Sequence, residues 1–585
     1  MVRGGLLIKS YYLFSVMILL LSLPLHSEAA YAAGDDNMDV FHISGTVSDN
    51  HGEPVRDTVI RLFISGRPHE FIDNGRTHDE ISTGADGSYH AAFSLRTDIT
   101  GDADISLKFS RTCYKKTAVD LTVSDFARKG NNFYTAKDTG MTRILGPAFY
   151  ISTIIFIAAY VLISFELLHR TLAAMLGAAI MLVITYTAGT LNHDYHIISF
   201  EQAIHAIDMN VIFLLMGMMI IVGILKHTGI FQWCAYKSFQ LARGRIIVLS
   251  MILMTFTAIS SAFLDNVTTM LLLTPVTIEI AVALGISPIL LLMPEIMASN
   301  IGGTSTLIGD PPNIMIGSYT GLTFMQFVDN LAIVCVISLA VLFVYTKFLY
   351  GKEYSSAKIS DIDGFIERLR QEYRITDRTL LGYGLFVMGL VIALFVTHGY
   401  WHMEVSIAAL FGAGLLFTYG IVTKRINLLE LIEKDIEWTT LLFFMFLFML
   451  VGAVEETGLL ALIADYVLEL SQGNLTISIC LILWVSAIMS AFVDNIPFTA
   501  TMLPIAAYLT RVIPGAESGV LWWALALGAC FGGNGTIIGA SANVVTVGIA
   551  EAAGYPIKFF QFMKIAFLYM VISVAIANAW LLIFF

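Results

Sequence analysis

One pattern occurs twice in this sequence, and both times it sets a carboxylate inside an apolar run. SAFLDNVTTMLLLTPVTI starts at Ser261 and SNIGGTSTLIGDPPNIMIG at Ser299; SAFVDNIPFTATMLPIAA starts at Ser490 and CFGGNGTIIGASANVVTVG at Cys530. Asp265-Asn266 matches Asp494-Asn495 at an offset of 229, and Gly302-Gly303 matches Gly532-Gly533 at 230. Two further blocks, from Ile207 and Ile436, also lie 229 apart. Three matched blocks at one offset mark an internal duplication.

The surrounding sequence decides what such a pattern means. Of the 585 residues, 57% are hydrophobic and 13% charged, with a mean hydropathy of +0.77, whereas soluble domains carry about 25% charged residues. Most of the chain therefore belongs in lipid. A carboxylate near a bilayer's middle costs roughly 2.5–3.5 kcal/mol on insertion scales, so it normally faces a cavity and carries function. Glycine pairs let a helix break there, which is tolerated only where the freed backbone is buried in protein or lines a cavity. Matching breaks in two halves point to the binding site of a secondary transporter. Basic residues are sparse outside loops, which removes nucleic acid as a partner. No Walker motif follows a strand, and the five cysteines lack CxxC spacing, so ATP hydrolysis, a zinc site and a disulfide framework are not expected. The chain reads as a transporter and not an enzyme, with no catalytic residue and no cofactor.

Residues 1–33 have the form of a secretory signal: Arg3 and Lys9, the apolar run YYLFSVMILLLSLPL, then an Ala30-Tyr31-Ala32 cleavage pattern. An uncleaved anchor is the alternative. Residues 34–140 are polar and rich in turns. HISGTVSDNHGEPV, DTVIRLFIS and GADGSYHAAFSL read as short alternating strands of a small β-sandwich, with a hairpin turn at Asp86-Gly87. Their GTV…D..GEPV…T..DGSY pattern resembles the carboxypeptidase-regulatory-like modules. His42, His51, His69, His78 and His90 read as solvated surface residues, and the module as dispensable for transport.

From Gly146 onward apolar runs approach the roughly 20 residues that a spanning helix needs. Spans are predicted near 147–168, 171–190, 209–226, 289–319, 329–350, 379–397, 404–422, 438–456, 520–548 and 565–585, with breaks at 301–305 and 532–536. The segments 246–283 and 475–512 each hold two apolar arms around an Asp-Asn tip, and each is either two full spans or a re-entrant hairpin, the polar tips favouring the hairpin. Repeat 1 then covers 141–350, a cytoplasmic linker 351–378 and repeat 2 379–585. With the N-terminal module outside, seventeen lysines and arginines fall in inner loops and two, Arg143 and Arg511, in outer ones after the module, in keeping with the positive-inside rule. Five spans per half is an odd number, so the second half is inverted. The predicted fold is an all-α polytopic membrane protein with an inverted 5+5 repeat, about ten transmembrane helices plus two re-entrant hairpins, and an extracytoplasmic β-sandwich, in the cell membrane.

Residue chemistry suggests what the tips bind. Asp265 and Asp494 are anionic or protonatable, and Asn266, Asn495, Thr268 and Thr499 offer neutral oxygens or amide donors. An oxygen-rich cluster suits a hard cation and a buried carboxylate suits a proton, so sodium at Asp265, Asn266, Asp494 and Asn495, or a proton, is the expected coupling ion. Asn300, Gly302, Gly303 and Thr304, with Gly532, Gly533, Asn534 and Ser541, are expected to present unwound amides and carbonyls between half-helices. Asn313 and Asn543 are matched; Asp310 faces Ala540 and has no partner carboxylate. Exchanging Asp265 or Asp494 for Asn is expected to abolish ion-driven flux, with Asp310 less sensitive. Glu279 and Glu295 are candidate proton relays, and Glu455-Glu456 reads as a solvated span end.

SAFLDNVTT…LTPVTI, SNIGGTSTLIGDPPN, SAFVDNIPFTATMLP and GGNGTIIGASAN, in that order over about 147–585, resemble the P protein (pink-eyed dilution) branch of the ion transporter superfamily. Arsenite-pump-type carriers, sodium/proton antiporters and citrate/dicarboxylate symporters are its relatives. The resemblance implies a homodimer in which a mobile transport domain moves as an elevator against a scaffold domain, and sites at the hairpin tips and broken helices. Asp-Asn stands where the dicarboxylate symporters carry Ser-Asn-Thr, so a polyanion here needs a cation or proton beside the carboxylate. The function expected is ion-coupled transport of a small inorganic ion or small organic anion. Arsenite or antimonite export, a channel-like anion pathway and an external-ligand sensor are the alternatives.

Overall fold

The chain divides into two units between Ile144 and Leu145, shortly before the first long apolar helix begins at Pro147. The computed structural model describes residues 38–585 apart from 50–51, 53, 74–75, 85, 97–103, 112, 131, 357–365, 368 and 372. The expected signal at 1–33 and His51 lie outside the described residues.

The N-terminal unit is two packed β-sheets. Its strands are β1 (Met38–Asp49), β2 (Val59–Ile64), β3 (Arg67–His69), β4 (Phe71–Asp73), β5 (Arg76–His78) and β6 (Ile81–Ser82). Then follow β7 (Ser88–Arg96), β8 (Ile105–Ser110), β9 (Thr117–Leu121), β10 (Ala127–Lys129), β11 (Asn132–Ala136) and β12 (Thr139–Met141). One sheet has the order β10-β11-β1-β7-β4-β5, with β12 also on β1; the other is β3-β2-β8-β9, with β6 on β2. Alternate residues of both sheets, among them Phe41, Ile43, Leu62, Phe93, Leu107 and Phe109, form one buried core, as a sandwich requires. The ring of Phe41 stacks on Phe93 at 5.2 Å and on Phe133 at 4.6 Å. The turn at Asp86-Gly87 forms, with Gly87 at φ +71° and the Asp86 carboxylate accepting from the Ser88 amide at 3.0 Å. It is not a hairpin, however. β6 before it pairs with β2 and β7 after it pairs with β1, so the turn carries the chain from one sheet to the other; a two-residue signal sets a reversal but not the strand's partner.

The second unit is helical. Its helices of ten residues or more are α1 (Pro147–Ser164), α2 (Arg170–Tyr186), α3 (Met209–Lys226), α4 (Ile230–Ala242), α5 (Ile246–Phe263) and α6 (Asn266–Ala283). Next come α7 (Ile289–Thr304), α8 (Pro311–Thr320), α9 (Phe324–Ser356), α10 (Arg378–Trp401), α11 (Val405–Val422) and α12 (Trp438–Thr457). The rest are α13 (Leu459–Ser471), α14 (Leu475–Val493), α15 (Asn495–Val512), α16 (Val520–Gly532), α17 (Ser541–Ala552) and α18 (Phe559–Phe584). The series α3–α9 recurs in order as α12–α18, and a pair, α1–α2 or α10–α11, precedes each. Among the described residues eleven helices are long and apolar enough to cross a membrane. Large side chains point outward from several, as with Phe348, 87% exposed, and Tyr400, 86% exposed. This is a multi-pass membrane protein.

The helices refine the expected spans in four places. Asp265 is flanked by arms of 18 residues each, and both meet the length and hydropathy of a span, as does the 19-residue arm before Asp494. Length alone therefore does not mark them as short hairpins. The helices α4 and α13, matched in the two halves, fall in segments too polar or too short to read as spans. α9 runs on to Ser356, past the end expected at 350, because Tyr350 and Tyr354 are buried in a cluster with Leu249, Leu253 and Leu291. Finally, Gly302, Gly303 and Gly532 are helical, and the breaks fall later, at 305–310 and 533–540. These glycines serve packing. A Cβ on Gly302 would meet the Ala258 carbonyl oxygen of α5 at 2.1 Å, and one on Gly532 the Ala487 oxygen of α14 at 2.5 Å. Small residues that admit a neighbouring backbone are the usual adhesive of membrane helices. They draw α7 and α16 into the centre, where α7 is buried from Leu291 to Thr304 and α16 throughout.

Candidate functional site

The two breaks are held open in the same way. Asn313 Nδ2 donates to the carbonyls of Thr304 at 2.9 Å and Thr306 at 2.8 Å, and Asn543 Nδ2 to those of Gly533 at 2.7 Å and Thr536 at 2.8 Å. The Thr306 hydroxyl donates to Ala262 O and that of Thr536 to Ala491 O, each anchoring its break to the end of the preceding tip arm. Backbone freed inside a membrane protein needs such partners.

Asp310 precedes α8 but does not cap it with its side chain. Pro312, the second residue of the helix, carries no N–H, which removes one of the two amides a capping carboxylate takes. The carboxylate is instead fully buried: it accepts from Asn495 Nδ2 of the opposite half at 3.1 Å, the Cys530 thiol and the Asn266 amide lie beside it, and its Oδ2 makes no hydrogen bond of ordinary geometry. Asn300 completes the junction. Its Nδ2 donates to Asn534 Oδ1 and to Asn543 Oδ1, both at 3.0 Å, and its Oδ1 accepts from Asn266 Nδ2 at 3.3 Å. Asn534 Nδ2 is buried and unpartnered. The Cys530 thiol lies 3.7 Å from Asn313 Oδ1.

So the junction is built by the asparagines of the tips and of the breaks and by Asp310, not by the paired aspartates. Among the described residues no hydrogen bond joins Asp265 to Asp494. Asp265 caps α6, accepting from Thr268 N at 2.9 Å and Thr268 Oγ1 at 2.5 Å. Asp494 caps α15 through Ile496 N at 3.2 Å and accepts from Ser541 Oγ at 3.3 Å. Its Oδ2 lies 3.6 Å from the Arg170 guanidinium. The Thr499 hydroxyl returns to Asn495 O at 2.7 Å and that of Thr304 to Asn300 O at 2.7 Å, so both are turned into their own helices.

Arg170 is the residue that sequence reasoning counted only as a basic loop residue. From the first position of α2 it also donates to Ser541 Oγ and, at 3.2 Å, to Thr440 Oγ1, with its guanidinium 5.2 Å from the Phe443 ring centre. Thr440 in turn donates to Glu437 at 3.0 Å. Burial pushes the Glu437 carboxyl up, and the charge of Asp265 adds to it. A polar chain thus runs from Asp494 through Arg170 and Thr440 to Glu437, at the N-terminus of α12. Nothing in a one-dimensional pattern marks Arg170, which lies 324 positions from Asp494. Of the other carboxylates, Glu279 bonds the Tyr373 hydroxyl and Glu295 is buried on α7.

The profile of the citrate transporter family matches residues 160–528. An uncharacterized transporter of Mycobacterium tuberculosis is 42% identical over 433 residues, which is 74% of this chain and 97% of that protein. The human P protein is 35% identical over 508 residues, covering 74% of this chain and 59% of its own length. Among solved structures the YdaH transporter of Alcanivorax borkumensis superposes with a TM-score of 0.50 at 14% identity, over 71% of this chain and 98% of that one, a likeness of fold. With two central broken helices, matched tips and these relatives, the chain belongs to the citrate transporter family.

Proposed function

We propose that this protein is an ion-coupled secondary active transporter that moves a small inorganic ion or a small organic anion together with, or against, sodium or protons. The observation that carries the reading is Asp310, a buried carboxylate with one oxygen outside any hydrogen bond of ordinary geometry where the two broken helices meet. A membrane protein does not retain such a group without use, because an uncompensated charge there is costly. The coupling cation binds at Asp310 beside Asn495. A proton needs only the carboxylate, whereas sodium needs further oxygens, which the amide side chains and break carbonyls supply. Asn534 Nδ2, the free donor of the same junction, meets the anionic part of the cargo. Arg170 already neutralises Asp494, which leaves the second tip the weaker cation site.

The two halves are read as inverted repeats, the arms around Asp265 and Asp494 as re-entrant hairpins whose tips reach the centre from opposite faces, and the N-terminal sandwich as extracytoplasmic. Support comes from Asn495 reaching Asp310 and Asn300 reaching Asn543, contacts that bring tips and breaks of both halves to one depth. An elevator movement within a homodimer in the cell membrane fits the buried α7 and α16 flanked by outward-facing helices. The test is flux in proteoliposomes under imposed sodium and proton gradients, with cations, arsenite and carboxylates as cargo. Gradient-driven uptake of one of them, lost in Asp310→Asn, is expected; uptake that ignores both gradients sinks the coupling.

A further inference from the structure

Glu295 lies outside the junction, on α7 five residues before Asn300, and is 1% exposed. Its Oε1 accepts from Thr277 Oγ1 of α6 at 3.1 Å, and its Oε2 has no hydrogen-bonding partner. The helices packed against α7 are α5, α6, α9, α16, α17 and α18. Of these, α5 and α16 contain no charged residue, and the single one on α6 is Glu279, which is exposed and bonds Tyr373. The charges of the others, Asp329, Lys347, Lys352 and Glu353 on α9, Glu551 on α17 and Lys564 on α18, are all exposed. The titratable group facing Glu295 is Tyr354 of α9, whose hydroxyl bonds Leu290 O at 2.7 Å and Ser250 Oγ at 3.2 Å. Tyr350, whose buried hydroxyl is unpartnered, stands next to Tyr354 at 6.0 Å between ring centres. On the other sides, Cys530 of α16 belongs to the junction and the Tyr569 hydroxyl of α18 bonds Ser338 O.

This surrounding suits one ligand. A hard metal cation takes about six oxygens, and Glu295 with Thr277 offers three. A proton needs one, and Oε2 is the free one. The site also touches the transport machinery. Glu295 and Thr277 join α7 to α6 at one end of their seam, and Asn300 and Asn266 join the same two helices at the other, at 3.3 Å. A proton added at Oε2 or released from it changes the acceptor that Thr277 meets, and with it the fit of α6 on α7.

We infer that Glu295 is a second proton-binding site of the transport cycle, separate from Asp310 and linked to it through the α6–α7 seam. The inference rests on the transport reading above. Its test is therefore chosen to be independent of cargo. Infrared spectra of the reconstituted full chain, taken in H₂O and D₂O from acid to alkaline pH, should contain a protonated-carboxyl C=O band that titrates, exchanges with deuterium and disappears in Glu295→Gln. Asp310→Asn should leave that band in place. In proteoliposomes carrying a pH-sensitive dye, proton movement driven by an imposed sodium gradient should fall at least tenfold in Glu295→Gln. A band intact in Glu295→Gln, or one that is lost there but never titrates in the wild type, overturns the inference and leaves the transport reading standing. Should Glu295→Gln misfold, Thr277→Val decides: removing the donor to Oε1 should move the band, and an unmoved band overturns the assignment.

Discussion

Asp265 and Asp494 occupy the same place in the two halves, at the start of α6 and of α15, but their backbones and partners differ. Asp265 has φ −64° and ψ 153°, an ordinary extended N-cap, and its carboxylate serves its own helix through Thr268. Asp494 has φ +79° and ψ 136°, a conformation that L side chains rarely adopt and that costs on the order of 1–3 kcal/mol. That backbone turns its carboxylate towards Arg170 and Ser541, whose contacts offset the strain. The same division runs through the whole repeat. Positions that hold backbone are alike in the two copies: Gly302 and Gly532 at the tight crossings, Thr306 and Thr536 at the anchors, Asn313 and Asn543 at the breaks. Positions that hold charge have diverged, with Asp310 facing Ala540 and Arg170 serving the second tip alone. Duplication supplied a symmetric frame, and the chemistry on it is asymmetric.

If that asymmetry is right, the largest effect belongs to Asp310. Asp310→Asn keeps the shape and can still accept from Asn495, but it removes the charge at the junction. Gradient-driven flux in proteoliposomes should fall about a hundredfold, the order for loss of a charged contact of about 3 kcal/mol. The duplicated aspartates point to Asp265 and Asp494 as the critical pair; the geometry argues for the reverse order. Flux lost in Asp265→Asn but retained in Asp310→Asn would break the comparison.

The frame should behave symmetrically. Gly302→Ala and Gly532→Ala each push a methyl into a backbone carbonyl and should each cost about 2–3 kcal/mol, read as thermal stability in detergent. A large loss at one and none at the other would mean that the halves are not packed alike. Next in size is the ion pair. Arg170→Gln leaves Asp494 buried beside an uncharged amide and should cost about 2 kcal/mol, less than a fully buried pair because the arginine side chain is 26% exposed. A double-mutant cycle should give a coupling of about 1 kcal/mol between Arg170→Gln and Asp494→Asn, and close to none between Arg170→Gln and Asp265→Asn. Equal coupling to both tips would erase the distinction. The smallest effect is that of Asp265→Asn alone, within about 0.5 kcal/mol, since Asn caps a helix as well as Asp does. A melting temperature well below the wild type would mean that Asp265 has a partner beyond Thr268.

Local chemistry explains how much of this was legible in the residues. Membrane helices declare themselves because lipid demands a long apolar run, and the duplication is visible because the offset is constant. The tip aspartates, the matched asparagines and the glycine pairs stand out against apolar sequence for the same reason. Other features depend on which surfaces meet. Whether Gly302 bends a helix or admits Ala258 depends on a neighbour 44 positions away, and helical packing settled it. Asp310 looked secondary because it lacks a duplicate, yet its carboxylate stays out of a cap and the opposite tip supplies Asn495 across 185 positions. Arg170 looked like one more basic loop residue until α2 was laid beside α12 and α17. Sequence determines which groups a membrane-buried chain must satisfy; only the tertiary structure decides which group satisfies which, because a hydrogen bond or an ion pair acts over a few ångströms of space and is indifferent to distance along the chain.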